Sequence, residues 1–171
     1  MREHTLIAYF SRADENYDVG YIEKGNTAEI ADFIAENVDA DIFEIKPVVP
    51  YPKEYRPTTE AAQKEFNENA LPEFIGEIEN IEQYDTIFLG YPIWWGKMPR
   101  IMNTFLEKYD LSGKTIITFS THGGSGWGSS ISQLEELCPD SDIIKGFSVA
   151  GTNAKNSSQS VKSWIEKLDL K

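Results

Sequence analysis

Three stretches of this chain combine residue types suited to holding a flat molecule that carries an anion. The first pairs Ser11 and Arg12 with Gly25-Asn26-Thr27. A helix opening near Asn26 or Thr27 would present free backbone N–H groups and the positive end of its dipole, which favour an anion. The hydroxyls of Ser11 and Thr27 and the amide of Asn26 can donate to phosphate-type oxygens, and Gly25 permits close backbone approach. Capping alone also accounts for Asn26, with Glu29 three positions on as in a capping box.

The second stretch, Gly90-Tyr91-Pro92-Ile93-Trp94-Trp95-Gly96, sets two adjacent indoles in a Gly/Pro loop. Loops run over the surface, where large apolar rings have little to pack against. Either one Trp folds back into the core with the other resting on it, or a flat ligand lies against a ring. The third stretch, Ser120-Thr121-His122-Gly123-Gly124-Ser125-Gly126-Trp127-Gly128, holds four glycines and one more indole. That glycine density costs conformational entropy, which points to close approach of something to the backbone. Together the three stretches describe a mononucleotide site for a flat, polar-edged ring. No Ser-His-Asp or Cys-His arrangement is visible.

Those stretches must be positioned by alternating strands and helices. Thr5–Phe10 is a near-continuous apolar run of the kind expected for a parallel strand covered on both faces. Ile30, Ala31, Phe33, Ile34 and Val38 then recur at helical spacing. Asp41–Ile45 reads as a second strand, and the prolines at 47, 50 and 52 hold the next segment extended. Thr58–Asn69 has weak helical patterning. Asp85–Phe88 continues into a third strand that Gly90, Pro92 and Gly96 are expected to end abruptly. Helices over Ile101–Leu106, Ile131–Leu137 and Val161–Leu168 alternate with strands at Thr115–Phe119 and around Ile143-Ile144 and Phe147–Val149. Five strands alternating with helices predict an open, parallel, doubly wound α/β sheet in one domain spanning 1–171, with ligands at the carboxyl ends of its strands.

Composition narrows the function. Sixteen Lys and Arg against 28 Asp and Glu give a net charge of -12, which argues against nucleic acid, whose backbone needs clustered cations. The same charge suits steered docking onto a basic partner. No apolar run nears the roughly 20 residues of a membrane span, and the amino terminus is too short for a secretory signal; the expectation is a cytoplasmic protein with no membrane association. With Cys138 the single cysteine, neither an internal disulfide nor a cysteine-rich metal site is available, and no metal is expected.

Tyr9-Phe10-Ser11 leading to Gly25-Asn26-Thr27, then Gly90–Gly96, then Thr121–Gly126, resembles the flavodoxin family, in its flavodoxin-like subgroup with a Trp-Trp loop. The resemblance covers essentially the whole chain. It implies a flavodoxin-like three-layer sandwich, a five-stranded parallel sheet in the order 2-1-3-4-5, and one non-covalent FMN. Carried over by position, the phosphate loop falls on Ser11, Arg12, Asn26 and Thr27. One flavin loop falls on Pro92, Ile93, Trp94, Trp95 and Gly96, and the other on Thr121, His122, Gly123, Gly124 and Gly126. The sequence departs from the family at Ala13–Lys24, which stand as an insertion between the halves of the phosphate loop. Arg12 either offsets phosphate charge or pairs with Asp14 or Glu15 of that insertion.

The resemblance implies an electron-transfer protein that shuttles electrons between a reductase and an acceptor protein, docking redox partners through its acidic surface. An acidic, apolar-walled site would oppose added negative charge on the ring. The alternative is an FMN-dependent NAD(P)H or quinone oxidoreductase, with Tyr51–Tyr55 and the insertion shaping a substrate pocket. A signalling receiver domain would need an acidic pair after the first strand and Asp after the third; Ser11-Arg12 and Gly90-Tyr91-Pro92 stand there instead.

Overall fold

The computed structural model describes residues 4–17 and 19–168. Its strands are β1 (His4–Tyr9), β2 (Asp14–Asn16), β3 (Gly20–Ile22), β4 (Asp41–Glu44), β5 (Tyr84–Pro92), β6 (Thr115–His122) and β7 (Asp142–Ala150). Its α-helices are α1 (Asn26–Asn37), α2 (Tyr55–Glu68), α3 (Arg100–Lys108), α4 (Ser130–Leu137) and α5 (Ser158–Leu168). All five strands of the main sheet run parallel in the order β4-β1-β5-β6-β7, which is 2-1-3-4-5 when only sheet strands are counted.

The two-residue period of a strand explains why the apolar runs are continuous. In β1, Leu6 and Ala8 enter one apolar cluster while Ile7 and Tyr9 enter the other; in β5, Ile87, Leu89 and Tyr91 part from Phe88 in the same way. Both faces are covered, so neither can be polar. On one face α1 and α5 set Ile30, Ile34, Val161 and Ile165 against Ile7, Phe88, Ile117 and Phe119. On the other, α3 and α4 set Ile101, Met102, Phe105 and Leu134 against Leu6, Ile87, Leu89 and Ile116. Each fully buried side chain of this size stabilises by roughly 1.5–3 kcal/mol. Ion pairs such as Arg56–Glu60 and Lys108–Glu77 are solvent-exposed and contribute about 0–1 kcal/mol each. The two apolar layers hold the fold.

Four expectations are corrected. β5 does not stop at Gly90 but runs to Pro92, pairing Gly90 with Phe119 and Pro92 with Thr121. A Cβ on Gly90 would lie 2.1 Å from the Phe119 ring, so this glycine lets an aromatic ring cross the strand and does not break it. Asn26 is not the cap of α1. Gly25 is, and the amide of Ala28 donates to Ser11 Oγ at 3.0 Å from across the loop, so no capping box forms. α2 begins at Tyr55, three residues before the expected start. β7 is one strand in which the register shifts opposite Thr118 and Phe119, with Gly146 as the extra residue. The insertion proves to be structured, since β2 and β3 form an antiparallel hairpin.

Between helix and sheet, Thr27 Oγ1 and Thr121 Oγ1 form a buried hydroxyl pair at 2.9 Å that ties the start of α1 to the end of β6. Thr27→Val strands the Thr121 hydroxyl, and is expected to cost about 1–3 kcal/mol. Adding Thr121→Val should cost less than the sum of the two single changes. Urea unfolding of the three variants checks this; strict additivity would show that the pair does not couple the two elements.

Candidate functional site

The carboxyl ends of β1, β5 and β6 open onto one cavity of about 420 Å³, within the roughly 300–1,000 Å³ of small-molecule sites. One end of it is the start of α1. The first amides of a helix have no intrahelical acceptor. Ser11 Oγ takes that of Ala28 and the Gly25 carbonyl that of Glu29, which leaves the amides of Asn26 and Thr27 to a ligand. Having accepted, the Ser11 hydroxyl retains its proton to donate.

At the other end, Trp94 and Trp95 divide the roles that the sequence left open. Trp94 folds back, its ring meeting Phe10 at 5.3 Å and Tyr51 at 5.0 Å, both edge to face. Trp95 stays at the cavity mouth, 55% exposed. Reciprocal bonds of 2.9 Å between Trp94 and Lys97 close a two-residue turn, with φ +53° at Trp95 and +72° at Gly96. Positive φ at both positions is the signature of a type I′ hairpin turn, and for a bulky Trp it is strained. The Trp95 indole N–H holds the ring by donating to the Thr59 carbonyl at 3.0 Å. Ser129 binds the Gly96 carbonyl through its amide at 2.8 Å and its hydroxyl at 3.1 Å, fixing the turn against the third loop.

That third loop supplies His122, whose Nδ1 accepts the Gly124 amide at 2.9 Å. Burial lowers the His122 pKa. The neutral ring therefore carries its proton on Nε2, a donor on the cavity wall. Because the folded pKa lies below the unfolded one, protonation favours the unfolded chain, and this contribution to stability is lost as pH falls below about 6.5. Nitrogen-resolved NMR titration is expected to show Nδ1 unprotonated at neutral pH and a midpoint below 6.5. A midpoint above it would contradict the assignment.

Arg12 pairs with Glu15 of the insertion, through the main-chain carbonyl, and reaches beyond it. Its guanidinium donates to the carbonyls of Glu15, Pro52 (2.6 Å) and Lys53 (2.9 Å) and to Thr58 Oγ1 (2.9 Å). It ties the hairpin to the start of α2, while the Glu15 carboxylate accepts the Tyr55 amide at 2.6 Å. Burial lowers the Arg12 pKa, yet an arginine stays charged, and the residue still lines the cavity.

Of the expected site residues, Arg12, Asn26, Pro92, Ile93, Trp94, Trp95, Gly96, Thr121, His122 and Gly123 line the cavity. Ser11 and Thr27 act from behind the wall through the bonds above. Gly124 and Gly126 are not on it; they shape the loop at φ +123° and +63°. Asn16 and Tyr17 of the hairpin and Tyr55 also line the cavity, within the two segments that the oxidoreductase alternative set around a substrate pocket; sequence reasoning missed the α2 residues Thr58, Thr59 and Ala62, and Ser125 and Gly151. The α2 set had a signal, since 55, 58, 59 and 62 form one stripe at helical spacing. For the hairpin residues the signal was the insertion itself, without the individual positions. Tyr17 packs on Gly123, where a Cβ would lie 2.2 Å from the ring, and its ring is 6.0 Å from that of Tyr55.

The expectation of an acidic wall is also corrected. Among the described residues, none of the 18 that line the cavity is Asp or Glu, whereas a random sample of a chain with 28 acidic residues in 171 would include about three. Carboxylates are kept off this surface, and Arg12 is its permanent cation. The donor set at α1, the indole at the mouth and the carboxylate-free wall fit a phosphorylated planar group.

The profile of the family described as Flavodoxin matches residues 4–168. A candidate flavoprotein from Bacteroides eggerthii is 30% identical, covering 99% of this chain and 100% of its own, with a TM-score of 0.75. Another from Bacteroides uniformis is 31% identical over 96% and 98%, with a TM-score of 0.75. A flavoprotein from Lactobacillus acidophilus, solved in complex with FMN, is 20% identical over 96% and 99%, with a TM-score of 0.69. No curated protein matches the sequence. Among the described residues, no helix is long and apolar enough to cross a membrane.

Proposed function

The chain belongs to the flavodoxin family, and from that premise we propose that it binds one FMN non-covalently and carries electrons between a reductase and an acceptor protein. The observation that carries this reading is the cavity wall, which lacks carboxylates among the described residues of a chain of charge -12 and ends at the opening of α1. In this reading the amides of Asn26 and Thr27 and the Ser11 hydroxyl bind the phosphate. Trp95 lies against the ring, held by Thr59, and His122 Nε2 donates to the ring edge. Bound FMN supplies one- and two-electron redox chemistry; the residues around it set its potential and exclude water. Apart from Arg12, whose guanidinium is held by carbonyls but keeps its charge, the wall's donors are neutral. Added negative charge on the ring then meets one fixed cation inside, Arg12, and an acidic protein outside, and the excess of carboxylates over the whole chain favours a low potential.

The test compares FMN with riboflavin on the stripped protein. Charge-assisted bonds contribute about 1.5–3 kcal/mol each, so FMN is expected to bind at least ~100-fold more tightly, or ~2.7 kcal/mol. Equal affinities, or a protein that takes up neither, would refute the phosphate assignment.

The wall formed by Tyr17, Tyr55, Thr59 and Ala62 favours a second reading, an NAD(P)H or quinone oxidoreductase whose planar substrate lies along those residues. Rapid NADH-dependent quinone reduction by the pure, FMN-loaded protein, with no reductase added, would establish it over the carrier.

A further inference from the structure

Exposed large apolar side chains gather in a second place, away from the cavity mouth. Among the described residues, Val48, Val49, Leu71 and Ile75 are four of the eight such side chains, with Val49 80% exposed. They sit on a ribbon in which Val48 N–H donates to the Glu73 carbonyl at 2.9 Å and Ile75 N–H to that of Lys46 at 2.8 Å. A second cavity of about 420 Å³ opens there between Val48, Val49, Pro50 and Pro72, bordered by Glu65 and Glu73. Its Tyr51 wall donates its hydroxyl to Glu65 at 2.6 Å and packs its ring against Trp94 at 5.0 Å. Trp94 lines the first cavity. The two cavities therefore stand back to back, with one aromatic pair between them.

Three features of this face define its occupant. Among the described residues, the charged side chains that border the cavity are Glu65 and Glu73, and two copies of a chain carrying -12 repel one another, so complementarity asks for a basic surface. Prolines at 47, 50, 52 and 72 fix the backbone in advance, which lowers the ordering cost of binding. Those prolines also lack N–H donors, so the segment is a poor template for an added strand, and recognition must come from side chains. An apolar centre with a charged rim is the anatomy of a specific interface.

We propose that this ribbon docks a basic partner protein, which places an apolar side chain between Val49, Pro50 and Pro72 and its Lys or Arg side chains over Glu65 and Glu73. That the partner is a redox protein rests on the electron-carrier reading; the docking surface does not. Docking here sets the partner against Tyr51, one ring contact from the wall of the cofactor cavity.

The test titrates the nitrogen-15-labelled, FMN-loaded protein with a basic c-type cytochrome at low salt, as a probe of a cationic protein surface. The amides of Val48, Val49, Leu71, Glu73 and Ile75 are expected to shift. Binding should weaken at least tenfold on raising salt to about 0.15 M, where the Debye length is about 8 Å. Val49→Ser combined with Ile75→Ser, and separately Glu73→Lys, should each weaken binding by about tenfold with the flavin spectrum unchanged. Shifts centred on Tyr17, Gly123 and Trp95, or no binding at low salt, would overturn the proposal. So would ribbon shifts that grow with protein concentration in the absence of the cytochrome, since these would identify a second copy as the occupant. A protein that takes up no FMN yet docks the probe on the ribbon would sink the cofactor reading alone; a flavin-loaded protein that does not dock would sink this one alone.

Discussion

Replacing Gly25 with alanine is expected to weaken FMN binding by about 100-fold, or ~2.7 kcal/mol, while leaving most of the fold in place. The backbone at Gly25, φ -64° and ψ 152°, is one that alanine adopts freely, so conformational freedom is not what the position needs. Space is. The added Cβ would lie 2.1 Å from Ser11 Oγ and 2.8 Å from the Arg12 carbonyl oxygen. Ser11 can rotate away only by releasing the Ala28 amide, and the Arg12 backbone can retreat only by dragging on the contacts its guanidinium makes at residues 52–54. Either movement displaces donors assigned to the phosphate. The comparison variant is Gly96→Ala, where φ is +72° and nothing lies within 4 Å. It carries backbone strain of about 1–3 kcal/mol but no collision, and should retain a preference for FMN over riboflavin. Fluorescence titration of both apoproteins with the two flavins decides the matter. If Gly25→Ala binds FMN as tightly as the parent, the α1 opening is not the phosphate site.

The largest expected effect on stability comes from Gly90→Ala. The Cβ would fall 2.1 Å from two carbons of the Phe119 ring, and Phe119 is fully buried. Overpacking of this kind costs about 1–3 kcal/mol and sometimes more. Here the ring is hemmed in by the α1 and α5 layer, which puts the expected loss near 3 kcal/mol, or roughly 6–12 °C in the thermal midpoint of a chain this size. Phe119→Leu makes room on the strand opposite, so the double variant should be more stable than Gly90→Ala alone, although the Leu change by itself costs stability. Calorimetry of the three variants reads the coupling directly. A double variant no better than the single would show that the strain is relieved elsewhere and that the close crossing of ring and strand is not the constraint on Gly90.

Both glycines show where sequence reading was right and where it could not be. Gly25 and Gly90 stood out in the sequence because each follows or precedes a strongly patterned element. A glycine is equally consistent with a break, a turn or a close approach, and the choice depends on which side chain lies opposite. For Gly90 that side chain is 29 residues away, in another strand. Cap assignment failed for the same reason. Asn26 is a good cap by local preference, but Ser11, brought in from the end of β1, already satisfied the Ala28 amide.

The chain's own order of residues determined the sheet, its parallel sense and strand order, the two buried faces, and the three loops that converge at one edge. These follow from hydrophobic period and strand–helix alternation, which are local and repeat along the chain, and from the quoted motifs of the family. Only the tertiary structure decided that Trp94 turns inward while Trp95 guards the mouth, that Arg12 binds carbonyls, that Tyr17 lies on Gly123, and that the cavity wall excludes carboxylates among its described residues. Each of these depends on a contact between segments separated by tens of residues, and no local pattern encodes which of several satisfied arrangements a polar or aromatic side chain will adopt.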